Sequence, residues 1–183
     1  VIMQGKFITF EGIDGGGKST QLHLAAQYLR EQGFEVVESR EPGGTAVGEK
    51  LRDIVLDPQQ SLSDAAQTLI YLAARYEHIE KVLRPALKAG KIVLCDRFSD
   101  STLVYQGFAA GKNREEIEKL KLLVSLAVDN FIPDKTLLFD GDPKKFALRR
   151  QLRGINDRYE QQGLEYQKVL RAGFLTLAQA DPA

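Results

Sequence analysis

Residues Gly12 to Ser19 read Gly-Ile-Asp-Gly-Gly-Gly-Lys-Ser and follow directly on the apolar run Phe7-Ile8-Thr9-Phe10. A lysine and a hydroxyl at this spacing behind glycines match G-x-x-x-x-G-K-[ST], the pattern of a phosphate-binding loop. When a strand enters such a loop and a helix leaves it, several backbone N–H groups and the positive end of the helix converge on one anion. Glycine is needed wherever a side chain would hold the backbone away from the ligand. Lys18 is a mobile point charge able to reach the outer phosphates, and the Ser19 hydroxyl has the size and hardness to ligate Mg2+. Asp14 is out of place beside phosphates, which its carboxylate would repel, so it is expected to turn toward whatever accepts the phosphoryl group.

The elements that must hold this loop can be read from periodicity. Phe7–Phe10 is a first strand, and a helix runs from Ser19 to about Gln32 with Leu22, Ala25, Ala26 and Leu29 on one face and Gly33 as its stop. A second strand is expected over Phe34–Ser39. After the turn Glu41-Pro42-Gly43-Gly44-Thr45 a helix extends to about Leu56, and a longer one starts near Ser61-x-x-Asp64, which resembles a capping box, and reaches Leu83 or beyond Pro85. Ile92–Cys95 is a third strand with Asp96 at its end, Arg114 to about Val128 a helix, and Thr136–Phe139 a fourth strand ending at Asp140. Asp142-Pro143 caps a further helix, and a last one spans Leu164 to about Gln179.

Strands alternating with helices imply an α/β fold: three layers, a parallel sheet flanked by helices on both faces, with ligands at the carboxyl ends of the strands. Gly12–Ser19, Glu41–Thr45, Asp96–Arg97 and Asp140–Asp142 all fall at that edge, which argues for one site in one domain spanning 1–183. At 183 residues the length suits a single core. With 25 basic and 25 acidic residues the net charge is zero, so no overall field favours nucleic acid or an anionic membrane. No run approaches the length of a membrane helix, and no signal segment precedes the first strand, so a cytoplasmic protein is expected. The single cysteine, Cys95, excludes an intrachain disulfide framework and reads as a small buried hydrophobe within Ile92-Val93-Leu94-Cys95. Met3 is the only methionine, so Val1 and Ile2 are expected to precede the natural start.

Among phosphate-loop proteins, a guanine switch would need Asn-Lys-x-Asp, which does not occur. Motor and transport ATPases bring larger or repeated domains, and the size favours a small kinase. Such an enzyme must keep water from the phosphoryl group, so an arginine-bearing cover is expected. Arg149, Arg150, Arg153 and Arg158 could supply one from a segment near 147–160, although a charged, solvated helix end has the same composition.

The run from Phe10 to Ser19, then Arg40-Glu41-Pro42-Gly43-Gly44-Thr45, then Asp96-Arg97-Phe98 with Ser101 and Tyr105-Gln106-Gly107, resembles bacterial thymidylate kinases in order and spacing over nearly the whole chain. The resemblance implies a P-loop NTPase fold and Mg2+-dependent transfer of the γ-phosphoryl group of ATP to dTMP by a cytosolic homodimer. It implies ATP contacts from Gly12, Ile13, Asp14, Gly15, Gly16, Gly17, Lys18, Ser19 and Thr20, with Ser19 and Asp96 on the metal. Asp14 would bind the deoxyribose 3′-hydroxyl, Tyr71 would stack under thymine, and Arg75 would take the base edge or acceptor phosphate. Tyr71 and Arg75 are four apart on a helix and so share a face, although Tyr71 in Leu69-Ile70-Tyr71-Leu72 also reads as core. Arg97 would grip the dTMP phosphate with a fork that lysine lacks. Thr102 and Gln106 would read the thymine edge, Tyr105 would crowd the 2′-position, and Glu41 and Pro42 would line the acceptor side. Asp140 reads as a turn residue before a helix. Some family members carry an arginine inside the loop where this chain has Gly15 and Gly16, so the resemblance is to the subtype with lid arginines, for which Arg149 and Arg153 are the candidates. The family normally adds a strand and helix after the region matching Leu177–Asp181, so a C-terminal strand is expected to be absent and the sheet edge open. Two other readings stay open: another small P-loop kinase, or a nucleotide-binding homologue that transfers nothing.

Overall fold

The computed structural model describes residues 5–129, 131–151, 159 and 162–181. Four strands, β1 (Lys6–Glu11), β2 (Val36–Arg40), β3 (Ile92–Asp96) and β4 (Lys135–Leu138), form one sheet in the order β2-β3-β1-β4, with every neighbouring pair parallel. The register aligns Arg40 and Phe10 with Asp96, and Glu11 with Leu138, so all four strands deliver their carboxyl ends to one edge. β2 and β4 each differ by a residue or two from the expected bounds, because the ladder to β3 and β1, rather than the apolar pattern, decides where pairing begins.

Eight helices connect and cover the strands among the described residues: α1 (Lys18–Glu31), α2 (Ala46–Leu56), α3 (Asp64–His78), α4 (Arg84–Lys88), α5 (Ser99–Thr102), α6 (Arg114–Val128), α7 (Pro143–Gln151) and α8 (Leu164–Ala180). Leu22 and Ala26 of α1 pack on Phe10 and Leu94 on one face of the sheet. On the other face Phe7, Val93 and Cys95 meet Leu72, Ile79 and Leu83 together with Leu120 and Val124 of α6. Both faces are thus buried, the usual condition of a parallel sheet. Cys95 is fully buried, as its apolar run implies, and its thiol is pushed up by burial and by the nearby carboxylates of Glu41, Asp96 and Glu11.

Two local features depart from the sequence reading. The long helix begins at Asp64 with Ser63, not Ser61, as its cap, the Ser63 hydroxyl accepting from the Ala66 N–H. It does continue past Pro85, but through a π turn, Ile79–Leu83, which lets the proline enter at the start of α4. A second π turn, Leu103–Phe108, extends α5, and periodicity gave no sign of it because the wider turn breaks the 3.6-residue repeat. A separate cluster of Ile13, Val104, Phe146, Leu170 and Phe174 ties this π turn, α7 and α8 to the glycine loop.

Candidate active site

β1 ends at Glu11 and α1 begins at Lys18, so the glycine loop joins strand to helix as its pattern requires. Gly12 (φ 131°) and Gly15 (φ 85°) are glycine for a reason the pattern alone does not give. A Cβ on either would lie 2.5 Å from a backbone oxygen, of Phe139 and Phe146 respectively. The side open for a ligand is at Gly17, where nothing lies within 4 Å of an added Cβ. Ile13 turns its side chain into the core, leaving only its backbone for the loop. Its carbonyl accepts from Lys18 Nζ at 3.1 Å. Lys18 is buried, and burial together with the nearby Arg97 guanidinium brings its ammonium down to about 8. A buried ammonium with a single close hydrogen bond, to a carbonyl, gains from an arriving phosphate.

Ser19 and Thr20 are exposed at the mouth, and the Ser19 hydroxyl donates to Asp96 Oδ2 at 2.5 Å. Asp96 stands at the last register position of β3, opposite Phe10 and Arg40. One hydroxyl and one carboxylate oxygen in contact beside the loop form a hard donor pair suited to Mg2+. No group of three or more His, Cys, Asp or Glu side chains that could hold a metal occurs among the described residues.

Across Asp14 from the loop lies an open cleft walled by Glu41, Pro42, Tyr71, Arg75, Arg97 and Tyr105. Asp14 does face it: Oδ1 accepts from Arg97 Nη2 at 2.6 Å and Oδ2 from the Tyr105 hydroxyl at 3.1 Å, with Lys18 Nζ 3.8 Å away. Burial alone would raise the Asp14 carboxyl, but Arg97 and Lys18 outweigh it and hold the group well below the usual carboxylate range. Arg97 adopts φ 74°, a left-handed conformation uncommon outside glycine. Its Nη1 donates to Ser101 Oγ at 3.0 Å, and its guanidinium sits 5.1 Å from the Tyr105 ring centroid. Strain of this kind is found where a side chain must point somewhere particular, and here it points into the cleft.

The cleft floor is a buried polar web. Arg75 Nε donates to Glu41 Oε2 at 2.6 Å, Nη1 to Thr102 Oγ1 at 2.8 Å, and Nη2 to the Phe98 carbonyl at 2.8 Å. Burial would raise Glu41, yet Arg75 and His78 hold it below its ordinary value. Tyr71 answers both of its readings: it is buried and it lines the cleft, its hydroxyl donating to Tyr159 at 3.1 Å. Gln106 Nε2 reaches the same Tyr159 hydroxyl at 3.1 Å, and Tyr105 meets the Tyr159 ring edge-on at 5.1 Å. Pro42 also lines the cleft, after a cis Glu41-Pro42 bond.

Several residues in the cleft or behind it carry weaker sequence signals. Arg52 and Leu56, one turn apart on α2, line it, Arg52 donating to the Pro42 carbonyl at 2.9 Å. Their i,i+4 spacing on a helix next to the Glu-Pro-Gly-Gly turn was the available signal. Tyr159 stands between Arg158 and Glu160, in a stretch whose charge hides it. Glu11, which ends β1, is fully buried; its carboxylate accepts from the N–H of Phe98 and the N–H and hydroxyl of Ser101. Burial and the nearby Asp100 raise it to about 7. A carboxylate directly after an apolar strand was its signal. Asp140 keeps its structural reading, since Arg171 of α8 clamps it with two hydrogen bonds of 2.5 and 2.7 Å. Arg149 is exposed and stacks on Phe146, its guanidinium 5.5 Å from the ring centroid, and it does not line the cleft. Arg153 and Arg158 lie outside the described residues, and so does most of the 147–160 cover segment.

A glycine loop with a buried lysine, a hard oxygen pair at its mouth and an arginine-lined cleft across a shared aspartate together define a phosphotransferase of the P-loop class. The thymidylate kinase family model matches residues 10–183. A thymidylate kinase of Protochlamydia amoebophila is 44% identical over 98% of this chain and 82% of its own length. One of Symbiobacterium thermophilum is 45% identical over 96% of this chain and 81% of its own. The crystal structure of thymidylate kinase from Ehrlichia chaffeensis superposes with a TM-score of 0.77 at 37% identity, covering 97% of this chain and 89% of that one. The chain belongs to the thymidylate kinase family. It is, accordingly, a phosphotransferase acting on dTMP.

Proposed function

We propose that the chain transfers the γ-phosphoryl group of ATP to a dTMP phosphate oxygen, giving dTDP and ADP, with the donor on the glycine loop and the acceptor in the cleft. The observation that carries this reading is Asp14, a loop residue whose carboxylate is bonded to the cleft residues Arg97 and Tyr105. Donor and acceptor then approach one another across a single side chain, and much of the barrier to a bimolecular reaction is met by positioning. The acceptor oxygen is already anionic, so no side chain has to act as a strong base. Lys18 and Arg97 offset charge on the equatorial oxygens. Tyr71 stacks on the base, Arg75, Thr102 and Gln106 meet its edge, and Tyr105 crowds the sugar. Glu41 and Pro42 wall the acceptor side, and Asp14 takes the 3′-hydroxyl.

Ser19 and Asp96 would hold Mg2+, which when bound neutralises charge on the donor phosphates. The segment 147–160 acts as the cover, with Arg149 and Arg153 as its arginines, in a single domain. A homodimer is supported by exposed apolar side chains on adjoining helices, Leu69 and Tyr76 on α3 with Leu122 and Leu126 on α6. Among the described residues no helix is long and apolar enough to cross a membrane. The product dTDP places the reaction in dTTP synthesis, which we assign to the cytoplasm, and the balanced charge provides no overall field for an anionic membrane or nucleic acid.

A coupled assay of ADP release with ATP and Mg2+, offering dTMP, dUMP, UMP, CMP, AMP and GMP separately, tests the reading. Preference for dTMP over dUMP and UMP is expected. Turnover of another monophosphate would keep the kinase and replace its substrate, while ATP binding without ADP release from any of the six would make the chain a non-catalytic nucleotide binder.

A further inference from the structure

His78, at the end of α3, has no exposed surface and takes no part in the chemistry above, yet both its ring nitrogens are engaged. Nδ1 lies 2.9 Å from Glu41 Oε1 and Nε2 lies 2.6 Å from Ser39 Oγ on β2. A carboxylate only accepts, so Nδ1 carries the hydrogen that faces Glu41 whatever the charge on the ring. The other Glu41 oxygen accepts from Arg75 Nε. A Cβ on Gly44 would stand 2.6 Å from the His78 ring, so the Gly43-Gly44 turn closes tightly over the imidazole and leaves it one place to sit. The contacts form a single file from the sheet to the cleft: Ser39, His78, Glu41, Arg75, Thr102.

We propose that His78 is a positioning residue for the acceptor nucleotide: by donating from Nδ1 it pins one oxygen of Glu41, so that the other oxygen fixes the guanidinium of Arg75 toward the base. The inference rests on the reading of the cleft as the dTMP site and adds a determinant of affinity that never touches the nucleotide. A carboxylate held at one oxygen only can rotate about its terminal bond, whereas one held at both cannot. With Glu41 held, Arg75 keeps the three contacts that aim it.

Two near-isosteric replacements separate this role from simple packing. In His78→Asn the amide N–H takes the place of Nδ1–H and keeps the bond to Glu41. In His78→Gln the amide takes the place of Nε2, keeping the Ser39 side and abandoning Glu41. Steady-state kinetics with dTMP and ATP, beside thermal melts of each variant, should show the dTMP KM raised about tenfold or more in the Gln variant with kcat and the ATP KM little changed. The Asn variant should stay within about threefold of the parent in all three. Glutamine conserves the ring's volume better than asparagine, so a packing role predicts the opposite order, and that order, or an equal rise in both variants, overturns the proposal. Should either variant fail to fold, His78→Phe fills the ring's space and removes the bond to Glu41; a dTMP KM raised about tenfold with unchanged ATP KM supports the positioning role, and an unchanged dTMP KM overturns it. A parent chain inactive toward dTMP removes the reading beneath the proposal and the proposal with it. An active parent with indifferent variants overturns the proposal alone.

Discussion

The donor loop comes from one continuous stretch, Gly12 to Thr20, and works largely through its backbone, whereas the acceptor cleft draws side chains from the ends of β1 and β2, from α2 and α3, and from the turn and helix after β3. Phosphate is recognised by N–H groups that every residue but proline carries, so a loop for it can be written in a few adjacent positions. A base and sugar are recognised by particular side-chain donors and acceptors, which must be gathered from distant segments and then held by others. The two regions also differ in their margins. The loop offers an open approach at Gly17, while Arg75, Glu41 and Thr102 are each almost fully buried and already bonded to one another. A change in the loop should therefore affect transfer and leave the fold intact, and a change in the cleft should disturb recognition through several neighbours.

The largest effect expected on this contrast is at Lys18. Lys18→Ala removes the buried cation of the loop, which donates to the Ile13 carbonyl and lies 3.8 Å from Asp14, so kcat should fall by roughly a thousandfold while circular dichroism and the melting curve stay near those of the parent. Near-normal turnover would mean that the loop is not the donor site. On the cleft side, Arg97→Lys should lower kcat/KM for dTMP by about a hundredfold, because an ammonium cannot serve Ser101, Asp14 and a phosphate together as the guanidinium fork does. The matching measurement is the KM for ATP. If it rises as much as that for dTMP, Arg97 belongs to both substrates and the division between the two regions is less sharp than the geometry suggests.

Legibility followed the same division. The strand order could not be read from the chain, but the alternation of strands and helices, and with it the parallel sheet and its ligand edge, could. Phe7–Phe10 and Ile92–Cys95 are apolar runs of strand length between clear turn residues. Resemblance supplied the roles of Tyr71, Arg75, Arg97, Thr102, Tyr105 and Gln106, and the structure gathers all six on one cleft. What neither periodicity nor motif conveyed were residues that act through others. Glu11 and His78 are buried polar side chains held by hydrogen bonds to residues distant in the chain, Arg52 sits on a helix that reads as ordinary, and the π turn at Leu103–Phe108 presents Tyr105 and Gln106 at angles that a 3.6-residue repeat does not generate. Such residues are chosen by partners far away in the chain, as Phe98 and Ser101 are for Glu11 and Ser39 and Glu41 for His78, so the local pattern marks them only weakly.

The smallest effect concerns pH, and it distinguishes the loop's electrostatics from its stability. Burial and Arg97 bring the Lys18 ammonium down to about 8 in the free protein, against an ordinary value near 10.5. Below about pH 8 the side chain is charged and ready for phosphate; above it the loop loses its cation, so kcat/KM for ATP, which reports the free enzyme, should fall by about tenfold per pH unit. The stability contribution runs the other way. Between 8 and 10.5 the unfolded chain binds the proton that the folded chain has released, so Lys18's contribution to unfolding free energy rises with pH across the window in which activity declines. Measured together, a falling kcat/KM with an unchanged or rising melting temperature assigns the alkaline limb to the loop. Lys18→Arg, whose guanidinium keeps its charge throughout, should abolish that limb at a reduced rate. A limb that survives this substitution would transfer the titration to a group outside the loop.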